Sequence, residues 1–178
     1  LLRESAGPGA ARITTNHIAA KAQISVGSLC QYFPNTEAIL HAIYRDMLSQ
    51  IDLVMKRFDS AEYLALPRVE FFDRLFREVT DAEADEKLLF AVRSIMKAFP
   101  ILAEADRAHA EQIAEGLAGF FRYYGSKWPM TKLKRLGLYI YYIDGGTWAY
   151  RNHARPCEKE ILEWEITVFK TIADKCFE

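Results

Sequence analysis

Apolar residues recur along this chain at intervals of three and four, and no stretch shows the period-two alternation of a strand. The pattern predicts an all-α fold. Leu1 to Glu4 read as the last turn of a helix, stopped by the breaker Gly7-Pro8-Gly9. Thr14 then caps a short helix through Ala22 with Ile18 and Ala19 facing inward, and Ser25 caps a second one to about Tyr32. Pro34 breaks that helix, and Asn35 caps a long one with Ile39, Ile43, Met47, Ile51 and Val54 on its apolar side. Pro67 suits the first turn of a helix holding Val69, Phe72, Leu75, Phe76 and Val79. Beyond the polar stretch Asp81 to Glu86 comes a helix with Leu88, Val92, Ile95 and Phe99. Pro100 begins the next, which reaches Tyr124; two more cover Thr131 to about His153 and Pro156 to Phe177.

The segment from Arg12 to Leu40 carries the clearest functional signal. Two short helices joined by a tight turn, the second capped by Ser25, form a helix-turn-helix. A second helix of this kind fits the major groove of duplex DNA, where base edges differ in donors, acceptors and methyl groups. Its outward positions are predicted to be Val26, Ser28, Gln31 and Tyr32, while Leu29 and Phe33 face the core. The backbone N–H groups at the helix starts after Thr14 and Ser25 suit phosphate oxygens.

The run Thr14-Thr15-x-x-Ile18-Ala19-x-x-Ala22, then Ser25-Val26-Gly27-Ser28-Leu29, then Tyr32-Phe33-Pro34-Asn35-x-Glu37-Ala38, resembles the TetR family of transcriptional regulators. The resemblance covers residues 12–40. It implies a homodimer whose heads each read half of a near-palindromic operator, with a small molecule bound in the body releasing the DNA. On this reading residues 1–45 are a DNA-binding domain and residues 46–178 a ligand-binding and dimerisation domain. Thr14, Thr15, Ser25, Val26, Gly27, Ser28, Gln31, Tyr32 and Thr36 are then the expected DNA-facing residues. Three positions depart from the family pattern, which usually has Gly at Gln23, Tyr at Cys30 and Lys at Thr36. The last two commonly contact phosphates in that family. If the turn needs a positive φ at Gln23, a non-glycine residue there costs about 1 kcal/mol. One phosphate-neutralising lysine fewer per head flattens the salt dependence of binding by roughly one counterion. Weaker operator affinity than usual is expected.

Charge agrees with placed contacts more than with a basic coat. The net charge is −1, and Leu1 to Gln50 holds only Arg3, Arg12, Lys21 and Arg45 against Glu4, Glu37 and Asp46. Cys30, Cys157 and Cys176 lie far apart without CxxC spacing and read as free thiols of a reducing compartment, so the cytoplasm is expected. No apolar run approaches the roughly 20 residues needed to cross a bilayer. The chain opens on Leu1 instead of methionine, which points to residues preceding it.

In the body, Leu136-Gly137-Leu138-Tyr139-Ile140-Tyr141-Tyr142-Ile143 is apolar around the whole helix, so both of its sides need cover. A partner subunit is the expected cover. The last helix offers two adjacent stripes, Ile161, Trp164, Val168 and Ile172, then Leu162, Ile166, Phe169 and Ala173. Pairing both helices with their symmetry mates gives an isologous four-helix interface through Tyr141, Ile161, Trp164, Val168 and Ile172. The resemblance implies a dimer contact in the same two helices. Gly145-Gly146 costs about 2 kcal/mol relative to alanines, so either the helix breaks there or close packing requires the missing side chains; close packing is favoured.

With 11 Phe, 9 Tyr and 3 Trp, flat apolar walls for a largely apolar or aromatic small molecule are plentiful. Candidate walls are Phe72, Phe76, Phe90, Met96, Phe99, Tyr123, Tyr139 and Tyr142, which equally suit a plain core. Arg93 and Asp144 interrupt apolar helices and are candidate polar anchors; Asp144 has Arg151 seven residues on as a possible ion partner. His17, His41, His109 and His153 show no metal-ligand spacing, and there is no nucleophile elbow or phosphate loop, so no enzyme, metal or cofactor is expected. The alternative function is a small-molecule-binding protein of regulator type with weakened or lost DNA binding.

Overall fold

The computed structural model describes residues 13–82, 86–154 and 158–178, and every regular element among the described residues is helical. The helices are α1 (Thr15–Ala22), α2 (Val26–Tyr32), α3 (Thr36–Phe58), α4 (Ala61–Leu64), α5 (Arg68–Ala82), α6 (Glu86–Ile95), α7 (Pro100–Tyr123), α8 (Met130–Ala154) and α9 (Glu158–Asp174). The helix end expected at Leu1 to Glu4, the Gly7-Pro8-Gly9 breaker and Pro156 lie outside the described residues.

The expected caps set the first three helices. Thr14 Oγ1 accepts from the His17 N–H at 3.3 Å, Ser25 Oγ from Ser28 at 2.9 Å, and Asn35 Oδ1 from Ala38 at 2.9 Å. Each such cap is worth about 1 kcal/mol. Two details differ from expectation. The linker before Pro67 contains the single turn α4, and α6 stops at Ile95, with a 3₁₀ turn over Met96–Ala98. Phe99 leaves the helix at φ −131° and ψ 87° because the ring of Pro100 disfavours helical backbone in the residue before it.

By contacts the chain divides into two compact units, Leu1–Ser49 with Asp85–Asp106, and Gln50–Ala84 with Arg107–Glu178, the division falling within α3 and within α7. In the first unit Ala19, Leu29 and Ile39 form a small core, with Ile18, Phe33 and Ile43 packed against it. The phenol of Tyr44 is fully buried and donates to Asp106 Oδ1 at 2.6 Å. Burial first, then the Asp106 charge, raise its pKa far above the ordinary tyrosine value, while a hydrogen bond with Arg93 pulls the other way.

The second unit has an aromatic core. Phe71 meets Phe120 edge-on at 5.0 Å and Phe58 at 5.3 Å, while Phe72 stacks on Phe121 at 5.1 Å. Phe71, absent from the expected stripe, is fully buried, whereas Val69 in the first turn of α5 is exposed. α8 runs unbroken through Gly145-Gly146. A Cβ on Gly146 would meet nothing within 4 Å, so close packing inside the protomer does not explain that glycine. The close approach lies two turns earlier. A Cβ on Gly137 would sit 2.8 Å from both Cα and O of Ala114, so α8 crosses the backbone of α7 there. Outside the core, Asp73 bonds Arg77 and Lys170, and Arg77 makes a two-point bond to Glu163, which ties α5 to α9.

Candidate functional site

The helix-turn-helix is built around one left-handed residue. Gln23 has φ 57° and ψ 36°, its N–H bonds Ala20 O at 3.2 Å, and the Ile24 N–H bonds Ala19 O at 3.1 Å. These two bonds end a helix by a Schellman turn, which needs the left-handed backbone that glycine adopts without penalty. Past this turn, α2 is held on its inner side by buried Leu29. Seven of the nine predicted DNA-facing residues, Thr14, Ser25, Val26, Gly27, Ser28, Gln31 and Tyr32, are exposed, and Thr15 and Thr36 are half-buried. Tyr32 is widely open, at 80%. Ser25 and Ser28 share a hydroxyl hydrogen bond at 2.8 Å, so the start of α2 is ordered before any contact is made. Cys30 is exposed on the same helix.

The predicted ligand residues do not gather into one place. An inner cavity of about 40 Å³ in the second unit is lined by Phe76 and Asp144 from the expected set, and by Tyr141, expected instead at a subunit interface. Phe72 is spent in the aromatic core. Tyr123 lines a separate, open groove of about 500 Å³ between α3 and α7. Tyr139 and Tyr142 are exposed on α8. Arg93, Met96 and Phe99 belong to the first unit, and the side chain of Phe90 lies outside the described residues.

A polar cluster around one buried histidine went unforeseen. His109, 6% exposed, holds its Nδ1 3.2 Å from the Tyr141 hydroxyl and its Nε2 3.2 Å from Asp52 Oδ1. Gln112 Nε2 donates to the same Asp52 oxygen at 2.9 Å. These groups come from α3, α7 and α8, so no spacing rule along the chain brings them together.

Of the five residues expected at a subunit interface, Ile161 is buried within the protomer, Ile172 packs against its core and Tyr141 lines its cavity. Trp164 and Val168 are exposed on α9, as are Tyr139, Tyr142 and Tyr150 on α8. The outward residues of α8 fall at spacings of three and eight, close to one stripe, with exposed Gly146 between Tyr142 and Tyr150.

No described helix is long and apolar enough to cross a membrane. Compared with known families, residues 4–43 match the model of the bacterial regulatory proteins of the tetR family. No curated protein matches the chain.

Proposed function

We propose, from the match of residues 4–43 to the model of the bacterial regulatory proteins of the tetR family, that the protein is a homodimeric, ligand-responsive repressor acting in the cytoplasm. The observation that carries this reading is the outward side of α2. Val26, Gln31 and the widely exposed Tyr32 stand clear of a core that grips Leu29, as a helix entering the major groove requires. Val26 suits a thymine methyl, and Gln31 suits the donor–acceptor pair of adenine.

One helix-turn-helix reads only half of a site, so the operator is near-palindromic and read by two heads. The exposed aromatic face of α8 and α9 supports the pairing. Tyr139, Tyr142, Trp164 and Val168 are between 43% and 58% exposed, and Gly146 among them lets a second helix approach closely. A two-fold axis through this face buries the same residues on both copies. The body takes a small molecule whose binding releases the DNA.

A gel shift with DNA from upstream of the protein's own gene, across a salt series, tests the reading. A specific shift that weakens with salt is expected; its absence at low salt refutes DNA recognition. The double substitution Trp164→Ala and Val168→Asp is expected to elute as a monomer from a sizing column, and an unchanged elution volume counts against this face. A second reading is favoured by Cys30 and Thr36 alone, which lack the phosphate-binding groups usual at those positions: the body keeps a ligand site while the head no longer binds an operator. That protein shows ligand binding without any specific shift.

A further inference from the structure

Among the described residues the head has a core of only three buried side chains, Ala19, Leu29 and Ile39, with Ile18, Phe33 and Ile43 packed against them. A cluster this small needs support from outside itself. A second apolar side of α3 supplies it. Leu40, Tyr44 and Leu48 recur every fourth residue, one position on from Ile39 and Ile43 and so about 100° round the helix. All three are buried, Leu40 and Tyr44 completely. The compact unit that holds the head also holds Asp85–Asp106. In that segment Ala91, Val92 and Ile95 of α6 are buried, as are Leu102 and Ala105 of α7.

Apolar burial is non-directional, so by itself it does not fix how one helix is rotated against another. A buried polar pair with a single bonding geometry does. Tyr44 provides that pair at the middle of the stripe. Its phenol has no exposed surface, donates to Asp106 Oδ1 of α7 at 2.6 Å and also bonds Arg93 of α6. A phenylalanine would fill the same space, so the hydroxyl adds direction and not volume. Donation to a carboxylate is charge-assisted, which makes the bond short and strong. α3 and α7 both continue into the second unit, so the pair joins two of the helices that carry the first. A head hung on α3 alone is free to turn with that helix. One also fastened to α7 is not.

We propose that Tyr44 is a positioning residue for operator binding: its bond to Asp106 fixes the rotation of the head-bearing half of α3 against α7, and so the direction in which α2 is presented to the groove. The assignment rests on the reading of the chain as a two-headed DNA-binding protein, and it names a residue outside the DNA-facing surface that sets which half-site spacing is accepted. The test starts from duplexes that the unsubstituted full chain selects out of a random pool, resynthesised with their half-sites moved apart or together by one base pair. Each such step shifts a half-site by about 3.4 Å and turns it by about 35°. Gel shifts then measure affinity for every spacing and for a single half-site. Tyr44→Phe and Asp106→Ala are each expected to cut the preference for the selected spacing about tenfold, the scale of one charge-assisted hydrogen bond, with half-site binding unchanged. The double variant is expected to lose no more than either single one. A preference that Tyr44→Phe leaves intact overturns the positioning role. So does an equal fall in half-site and operator binding, which is what plain loss of folded head produces. Should the unsubstituted chain select no duplex, or show no spacing preference, the two-headed reading fails and the role of Tyr44 with it.

Discussion

Replacing Gly137 with alanine is expected to destabilise the protein, whereas the same replacement at Gly119 stabilises it. Both glycines lie inside long helices, Gly137 in α8 and Gly119 in α7. Each substitution therefore gains about 0.8–1 kcal/mol of helix propensity. At Gly119 nothing lies within 4 Å of the new Cβ, so that gain is the whole effect. At Gly137 the Cβ arrives 2.8 Å from Ala114 Cα and O and 3.2 Å from its carbonyl carbon. Carbon atoms rest about 3.5–4.0 Å apart, and backbone has no rotamer by which to move aside. The two helices must part by nearly 1 Å, and overpacking of this kind costs about 1–3 kcal/mol. The net loss is about 0–2 kcal/mol, the overpacking cost less the propensity gain. In a chain of this size each kcal/mol moves Tm by about 2–4 °C, so Gly119→Ala rises by that amount while Gly137→Ala falls. Urea denaturation followed by circular dichroism, with Tm as a second readout, measures both. The unfolded chain loses the same freedom in either variant, so their difference isolates the helix contact. Equal shifts, or a rise for Gly137→Ala, would refute the close approach of α8 to α7.

Ser25→Ala removes the acceptor for the Ser28 N–H and is expected to cost about 1 kcal/mol, visible as earlier melting of the helix-turn-helix. Acid sensitivity follows from Asp73, whose carboxyl is held below the ordinary value of 3.8 chiefly by the hydrogen bond from Lys170, with burial opposing it and Arg77 adding to it. A depressed carboxylate stabilises the fold above its unfolded value and loses that contribution as pH drops through the folded one. Stability from this site is therefore flat near neutrality and declines below about pH 4, and Lys170→Met is expected to make that decline shallower in denaturant titrations. In the head, Thr36→Lys with Cys30→Tyr is expected to tighten operator binding and steepen its salt dependence by roughly one counterion per head, as read by gel shifts.

The helix boundaries of the head were legible because capping is a local act. Thr14, Ser25 and Asn35 each bind an N–H three residues on, so the sequence window contains the whole interaction. The left-handed backbone of Gln23 was expected only conditionally, from the glycine that the resemblance implies at that place in the turn. Farther along, periodicity named the helices but misjudged some of their inner sides. Leu40, Tyr44 and Leu48 are buried beside the expected Ile39, Ile51 and Val54, because α3 is covered over more of its circumference than a single stripe allows. Gly137 could not be told from Gly146 by any local rule. What separates them is Ala114, a residue of another helix. The cavity was half legible: Asp144 betrayed itself as a charge in an apolar run, whereas His109 acquires its meaning from Asp52 and Tyr141, which only the fold brings near it.

The aromatic face of α8 and α9 also bears on dose. Under the proposed pairing, a single copy leaves Tyr139, Tyr142, Trp164 and Val168 in water and reads half an operator. When the chain is scarce, the operator-competent form grows with the square of the amount made, because assembly follows mass action. Modest changes in synthesis then produce disproportionate changes in promoter silencing. On the proposed repressor reading, those four side chains would set a threshold, the quantity of protein a cell must accumulate before the regulated genes go quiet.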